Sequence, residues 1–226
     1  MTVYLTQRPD PQRRGKMWAP DDDVVVRTWI RSLQYCGLMG IIFHDGLSPD
    51  FTAKWDSEDV MFWPITWKTP WTAAEERVQI YLDWLHDFPC DWVCTTDLAD
   101  VEFYRDPFEV IHDPNMLYIG SETETIGEVV ILQQWMTRTY GEITDKNRVI
   151  LNPGIVGGSY YRIVDFLRRW LAEMGRAIEP TQPPHDIVAF NRLIYREQIP
   201  FVTGPQLHTI FRAHEGPESG AAIRHK

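Results

Sequence analysis

The stretch VCTTDLADVEFYRDP runs from Val93 to Pro107 and places two carboxylates, Asp97 and Asp100, directly after an apolar run. The apolar run predicts a short buried strand over Asp91–Thr96. A carboxylate taken out of water is costly unless a positive group meets it. The pair therefore predicts a site at the carboxyl end of this strand, where either a protein cation or a metal ion balances the charge.

The segment before this strand predicts a helix over Thr72–His86. Thr72 and Glu75 have the spacing of a capping box, and the apolar residues that follow repeat with helical period. A strand, a helix and a further buried strand in this order indicate a parallel sheet covered by helices. We therefore expect an α/β fold: a single domain over residues 1–226, with a mostly parallel central sheet and helices on both faces.

The remaining segments are consistent with this class. Two segments read as irregular: Phe51–Pro70, which is rich in Trp and Pro, and the tail from Ile199. Apolar runs predict strands at Thr2–Thr6, Gly40–Asp45, Leu117–Gly120 and Arg148–Leu151. Periodic patterns predict helices that begin near Asp21–Asp23, that cover Ile163–Met174, and that run over His185–Arg196.

The bulk composition excludes several classes of protein. The formal net charge of −10 over 226 residues argues against a general polyanion binder. The three cysteines, Cys36, Cys90 and Cys94, have no zinc spacing and are expected to be reduced thiols in a cytoplasmic protein. No run approaches ~20 apolar residues, so we expect no membrane span. The N-terminus lacks a signal-peptide pattern.

Two carboxylates at a strand end favour a divalent metal site. Ligands of open parallel sheets bind beyond the carboxyl ends of the strands, and hard cations prefer oxygen ligands. The spacing alone is weakly specific, because Asp56 and Asp59 form a second pair with the same spacing. The position after a buried strand distinguishes the pair Asp97 and Asp100.

Four segments in the same order resemble the nucleotide-sugar glycosyltransferases of GT-A fold, and in particular the glycosyltransferase domain of the lysyl hydroxylases. The first is TDLADVEF with the Asp-Pro-Phe that follows it at Asp106, which resembles the metal-binding turn of that family. The others are LNPGIVGG at Leu151–Gly158, HDIVAFNRLIY at His185–Tyr195 and the terminal IRHK at Ile223–Lys226. The chain departs from the family pattern at Pro153.

The resemblance implies a metal set of Asp97, Asp100 and His225, with Lys226 as a phosphate contact. Two carboxylates and an imidazole suit Mn²⁺, and Mg²⁺ is the other candidate. Taken alone, His225 is more typical of a solvated chain end.

The resemblance also implies residues around the donor and the acceptor. Asp186 is expected at the donor sugar or the acceptor, Asn152 at the donor sugar and Glu122 at the acceptor, although a helix cap, a turn residue and a solvated loop residue are the plainer interpretations. Tyr104 is expected either to stack on the base or to pack. Expected contacts to the nucleotide and its phosphates are Thr6, Arg8, Asp10, Arg14, Asp45, Tyr104, Gly154, Gly157 and Lys226.

The expected function is metal-dependent transfer of a sugar from a nucleotide diphosphate donor, UDP-linked by resemblance, to a hydroxyl acceptor. Retention of configuration rests on the resemblance alone. A nucleotidyltransferase, a nucleotide-sugar hydrolase and a non-catalytic binding module are the alternatives. The acceptor stays open between a polysaccharide, a protein and a hydroxymethylated DNA base of bacterial or phage origin, and the chain is expected to be a monomer or homodimer. Trp55, Trp63, Trp67 and Trp71 form either an aromatic wall for the acceptor or part of the core.

Overall fold

The first third of the chain forms a sheet of three parallel strands. The computed structural model describes residues 1–9, 16–177, 185–211 and 215–225. The strands pair in the order of the chain and are separated by helices, as the sequence predicts for this α/β protein. They are β1 (Thr2–Tyr4), β2 (Gly40–His44) and β3 (Val60–Pro64), with helices α1 (Asp23–Tyr35) and α2 (Pro49–Trp55) between them.

The rest of the chain adds a mixed sheet, so the expectation of a mostly parallel sheet is only partly correct. Its strands are β4 (Trp92–Thr96), β6 (Leu117–Thr125), β7 (Val149–Ser159) and β8 (Phe201–Val202), in the order β4-β7-β6-β8. Strand β7 runs antiparallel to both of its neighbours, whereas β6 and β8 are parallel. The helices of this part are α3 (Ala73–Asp87), α4 (Val130–Tyr140), α5 (Tyr160–Met174) and α6 (His185–Arg196).

The N-terminal residue connects the two sheets. The Met1 amine donates to the Cys94 carbonyl at 2.7 Å, and the Thr96 amide donates to the Met1 carbonyl at 2.9 Å. Two hydrogen bonds from one residue to the residues on either side of Thr95 are the pattern of parallel strands. Strands β1 and β4 therefore lie side by side and point the same way. The carboxyl ends of β1, β2 and β4 therefore share one edge, where ligands of such sheets bind.

Helices cover both faces of the sheet, as predicted. Alternate residues of a strand point to opposite faces. Phe43 and Val93 belong to a core cluster that includes residues of α3, α5 and α6. Their neighbours Ile42 and Cys94 belong to a second cluster that includes the buried face of α1.

The helices with strong local signals lie where the sequence predicts them. The Glu75 carboxylate accepts hydrogen bonds from the Thr72 amide at 2.8 Å and from its hydroxyl at 2.7 Å, at the start of α3. Asp22 caps α1 by accepting from the Val24 amide at 2.9 Å. Helix α6 has the predicted bounds.

Three segments correct the sequence-based reading. Residues 51–70 are irregular only in part, because α2, capped by Ser48, ends at Trp55 and β3 covers Val60–Pro64. The strand predicted at Arg148–Leu151 continues further, because Asn152–Gly158 also lies inside β7, where Gly157 pairs with both Cys94 and Tyr118. The tail contains β8 and a last strand, β9 (Ile223–His225), which pairs antiparallel with β5 (Val101–Phe103).

The structure also bears on the expectations about the cysteines and about membrane-spanning helices. Cys36, Cys90 and Cys94 are free thiols, and burial raises the pKa of Cys94 to about 11. A thiol with such a pKa is a poor nucleophile, which fits a packing role. None of the helices in the described ranges is long and apolar enough to cross a bilayer.

Gly40 provides a test of the packing of α1 on the sheet. A Cβ at this position would lie 2.5 Å from both the Leu33 Cδ1 and the Trp29 Cη2 atoms. We expect Gly40→Ala to lower the free energy of unfolding by about 1–3 kcal/mol, because the buried indole has no room to shift. Chemical denaturation measures it. Gly175→Ala, whose Cβ would meet only ordinary contacts, is the control, and equal losses in both variants would contradict this packing.

Candidate functional site

Asp97 is held at the end of β4 with one carboxylate oxygen committed and the other directed at a gap. Its amide donates to the Gly154 carbonyl at 2.9 Å, which fixes the turn against β7. Oδ1 accepts a hydrogen bond from Arg77 Nη1. Oδ2 lies 2.6 Å from the point that a Cβ on Gly154 would occupy. Any side chain at position 154 would collide with this oxygen, so glycine lets Asp97 approach the backbone of β7 closely, and the place beside Gly154 that a side chain would take is called the gap below.

His225 faces the same gap from the other side. The pairing of β9 with β5 sets His225 opposite Val101, immediately after Asp100. The imidazole Nε2 and Cε1 atoms both lie 2.8 Å from the same Cβ point of Gly154. Its Nδ1 lies 3.7 Å from the corresponding point of Gly120 on β6. The ring thus occupies a slot between two glycines, and its Nε2 and the Asp97 Oδ2 flank one point.

The imidazole of His225 is buried without a polar partner. Its residue is only 1% exposed, and neither ring nitrogen has a hydrogen-bond partner in the described part of the chain. Burial lowers the pKa of His225 to about 4, with Asp97 opposing and His208 and Arg77 adding to the effect. Buried polar atoms without partners are rare, and a neutral imidazole is the form that binds metal ions. The imidazole of His225 therefore has the chemistry of a metal ligand.

Asp100, the third predicted ligand, lies beside this point rather than at it. It lines a cavity of about 60 Å³ that also borders Asp97, Arg77 and Trp18. No three acidic, histidine or cysteine side chains within the described ranges stand together closely enough to hold a metal ion. The predicted three-ligand set is thus not preassembled, and Asp100 would have to turn toward the gap to complete it.

Arg77, on α3, is the residue of the site that the sequence analysis missed. Its guanidinium binds Asp97 through Nη1 and Asp186 through Nη2, the latter at 3.0 Å, and its side chain is 6% exposed. The sequence contains a signal for it. Arg77 lies on the apolar face of α3 between Ala74 and Tyr81, and a charge on such a face needs buried partners.

The group formed by Asp97, Arg77 and Asp186 holds two carboxylates and one cation. Burial works to lower the pKa of Arg77, but the two carboxylates outweigh it and raise that pKa above its usual value. Burial, Glu75 and Asp97 raise the pKa of Asp186 to about 6, although Arg77 and the Ile187 amide oppose them. The group therefore carries a net negative charge, which a further cation would balance. Asp186 is only 2% exposed, so it acts on a ligand through Arg77.

Asn152 and Glu122, on the neighbouring strands β7 and β6, contact each other. The Asn152 amide nitrogen donates to Glu122 Oε1 at 3.1 Å, and its Oδ1 accepts from the Gly154 amide at 2.8 Å. Asn152 is thus the link between the half-buried Glu122 and the backbone of the gap.

A second group of predicted residues lies at the ends of β1 and β2. Asp45 accepts hydrogen bonds from the Thr6 amide at 2.7 Å and from the Gln7 amide and the Trp67 indole, both at 2.9 Å. Arg8 donates to the Thr69 and Trp71 carbonyls, and its Cζ lies 3.9 Å from the Trp67 ring centroid. These side chains hold their own loops together. Their expected nucleotide contacts stay predictions.

Other predicted residues lie away from the gap or outside the described ranges. Gly157 does not approach a ligand, because its Cβ would meet Ile111 Cδ1 at 2.5 Å in the core. Tyr104 lines a separate cleft beside α1 and donates to the Glu215 carbonyl at 3.2 Å, so it is not placed to stack on a base at the gap. Asp10, Arg14 and Lys226 fall outside the described residues.

The side chains of the tryptophan-rich segment pack largely against the hydrophobic core. Trp55 is half-buried against the α1 cluster and donates to Asp23 Oδ1 at 2.7 Å. Trp63, Trp67 and Trp71 are half-buried against the opposite cluster.

A second buried histidine, His208, supports the strand that carries His225. Its Nδ1 lies 2.7 Å from the Thr209 carbonyl, and its Nε2 is 3.2 Å from the Ser121 amide that donates to it. The Thr209 hydroxyl accepts from the His225 amide at 3.1 Å. Both nitrogens of His208 are therefore used, in contrast to those of His225.

Comparisons with known proteins add no assignment. No family model matches this sequence, and a search of curated proteins finds no match.

The contrast between the two histidines predicts opposite mutational effects. We expect His225→Leu to change the free energy of unfolding by less than about 1 kcal/mol without metal, because it removes two unsatisfied polar atoms. His208→Leu is the matched control and should lose about 2 kcal/mol or more, because it leaves partners such as the Ser121 amide unpaired. Chemical denaturation compares them. A large loss in His225→Leu would mean that this imidazole is structural.

The two ion pairs of Arg77 lead to a second prediction about stability. Arg77→Met should lower the free energy of unfolding by about 3–5 kcal/mol, because it leaves Asp97 and Asp186 buried without a cation. Adding Asp97→Asn and Asp186→Asn to Arg77→Met should recover much of that loss in the same denaturation experiment. A triple variant less stable than Arg77→Met would contradict the charge balance described here.

Proposed function

We propose that this chain is a metal-dependent glycosyltransferase with a GT-A-like domain, which transfers a sugar from a nucleotide diphosphate, UDP-linked by resemblance, to a hydroxyl acceptor. One observation carries the proposal. At the carboxyl end of β4, a carboxylate oxygen of Asp97 and an unpartnered imidazole nitrogen of His225 face a single gap at Gly154. The acceptor, the oligomeric state and the cytoplasmic location stay predictions.

The sheet edge supports a ligand that extends between two places. The gap lies at the end of β4, and the loops around Thr6 and Asp45 lie at the ends of β1 and β2, which point the same way. Leu5 connects the cavity beside Asp97 with the loop after β1, since it borders that cavity and directly precedes Thr6. We assign the base of a nucleotide diphosphate to the loops around Thr6 and Asp45 and its phosphates to the gap.

Two of the three predicted ligands flank one point beside Gly154, where we place a divalent metal. Asp97 and His225 would hold it, with Asp100 turning from the cavity wall, and the nitrogen donor favours Mn²⁺ over Mg²⁺. When bound, the metal would supply positive charge against which the leaving diphosphate develops its negative charge. The buried excess of carboxylates around Arg77 supports a cation at this place.

The chain's own residues would orient the reacting groups. Arg77 fixes Asp97 so that Oδ2 faces the gap, and Asp186 fixes Arg77 in turn. Asn152 holds the Glu122 carboxylate near the gap. We assign Glu122 to the acceptor, because its half-buried carboxylate is able to accept a hydrogen bond from an incoming hydroxyl.

The test is Mn²⁺-dependent release of nucleoside diphosphate from nucleotide sugars, with Asp100→Asn as the variant. We expect the variant to lose at least about 100-fold in activity, because the metal loses a charged ligand. Asp59→Asn is the matched control, since Asp59 belongs to a pair with the same spacing but is exposed in the loop just before β3. Both variants should keep the wild-type unfolding midpoint.

The products separate the proposal from its alternatives. Release of nucleoside diphosphate with a glycosylated acceptor supports transfer, and free sugar alone indicates a hydrolase. Products cleaved between the phosphates would indicate nucleotidyl chemistry. Full Mn²⁺-dependent activity of Asp100→Asn would remove Asp100 from the metal set.

A further inference from the structure

Helix α1 carries exposed cationic and aromatic side chains on successive turns. Arg27, Arg31 and Tyr35 repeat every four residues, and Tyr35 is 85% exposed. They border a cleft of about 530 Å³ whose other wall includes Glu102 and Tyr104 on and after β5. The cleft shares none of its lining residues with the cavity of Asp97. It is therefore a second candidate site.

The positive charge of this cleft is only partly balanced by the described residues. Asp23, one turn before Arg27, attracts the Arg27 charge, but it is bound directly by Lys54 Nζ at 2.5 Å and by the Trp55 indole. Glu102 is paired with Arg224 at 3.2 Å. Among the described residues, neither Arg27 nor Arg31 makes a hydrogen bond or an ion pair of its own. A local positive excess on a chain of net charge −10 indicates an anionic ligand.

The aromatic residues narrow the class of anion. The cleft presents Tyr35 at one end of the row of arginines and Tyr104 on the opposite wall. Guanidinium groups bind phosphates, and tyrosine rings stack on bases of any sequence. An inorganic anion would use the arginines alone. A phosphate chain that carries bases would use both kinds of side chain.

We propose that the cleft between α1 and β5 binds single-stranded nucleic acid, with Arg27 and Arg31 at its phosphates and the two tyrosines on its bases. A duplex hides its base faces, and the acidic remainder of the chain repels its higher charge density. The proposal goes beyond the glycosyltransferase function and requires neither metal nor sugar donor.

The experiment is fluorescence anisotropy of a labelled 12-nucleotide single strand of mixed sequence, titrated with the full chain at several salt concentrations. The double variant Arg27→Gln with Arg31→Gln should bind at least ten-fold more weakly at low salt. Its slope of log affinity against log salt should fall by about 1.4, at about 0.7 for each lost phosphate contact. Tyr35→Ala should bind about five-fold or more weakly through lost stacking.

Matched controls remove the same groups elsewhere. Arg168→Gln with Arg196→Gln deletes two exposed arginines outside the cleft, and Tyr161→Ala deletes a tyrosine that is 83% exposed. These variants should bind within two-fold of wild type. Wild-type binding by the Arg27 and Arg31 double variant, equal weakening by the controls, or equally tight binding of the matching duplex would each overturn the proposal. Asp100→Asn should bind the strand normally, so the outcome is independent of the metal site.

Discussion

The antiparallel pairing of β9 with β5 is the contact on which the rest of the site depends. It joins the last described residues of the chain to the strand that follows Asp100, and it sets His225 opposite Val101. The imidazole of His225 is 1% exposed and lies between two glycines of the central sheet. Without this pairing, no imidazole would lie near Asp97 Oδ2.

Charge explains why the gap suits a cation. Arg77 serves two buried carboxylates at once, so the group it forms with Asp97 and Asp186 keeps an excess of negative charge. Burying charge is unfavourable unless it is balanced, and proteins keep such arrangements mainly at functional sites. The unpartnered imidazole is a second cost at the same place. A divalent ion between Asp97 and His225 would relieve both.

The sequence predicts those features whose signals are local. The capping box at Thr72 and the apolar run before Asp97 indicate α3 and β4 correctly. Strand β7 is predicted too short, because its glycines suggest a turn when their neighbours in the sheet are unknown. Arg77 is missed because its partners lie 20 and 109 residues away along the chain. The family resemblance implies His225 as a ligand, but the pairing of β9 with β5 is not predicted, since no local pattern indicates it.

The most direct measurement is the position of a bound Mn²⁺ ion in crystals of the wild-type chain, located by its anomalous scattering. We predict one strong peak beside Gly154, within bonding distance of Asp97 Oδ2 and His225 Nε2, with the Asp100 carboxylate turned toward it. A fully occupied ion elsewhere, or a saturating Mn²⁺ soak that leaves this gap without a peak, would contradict it.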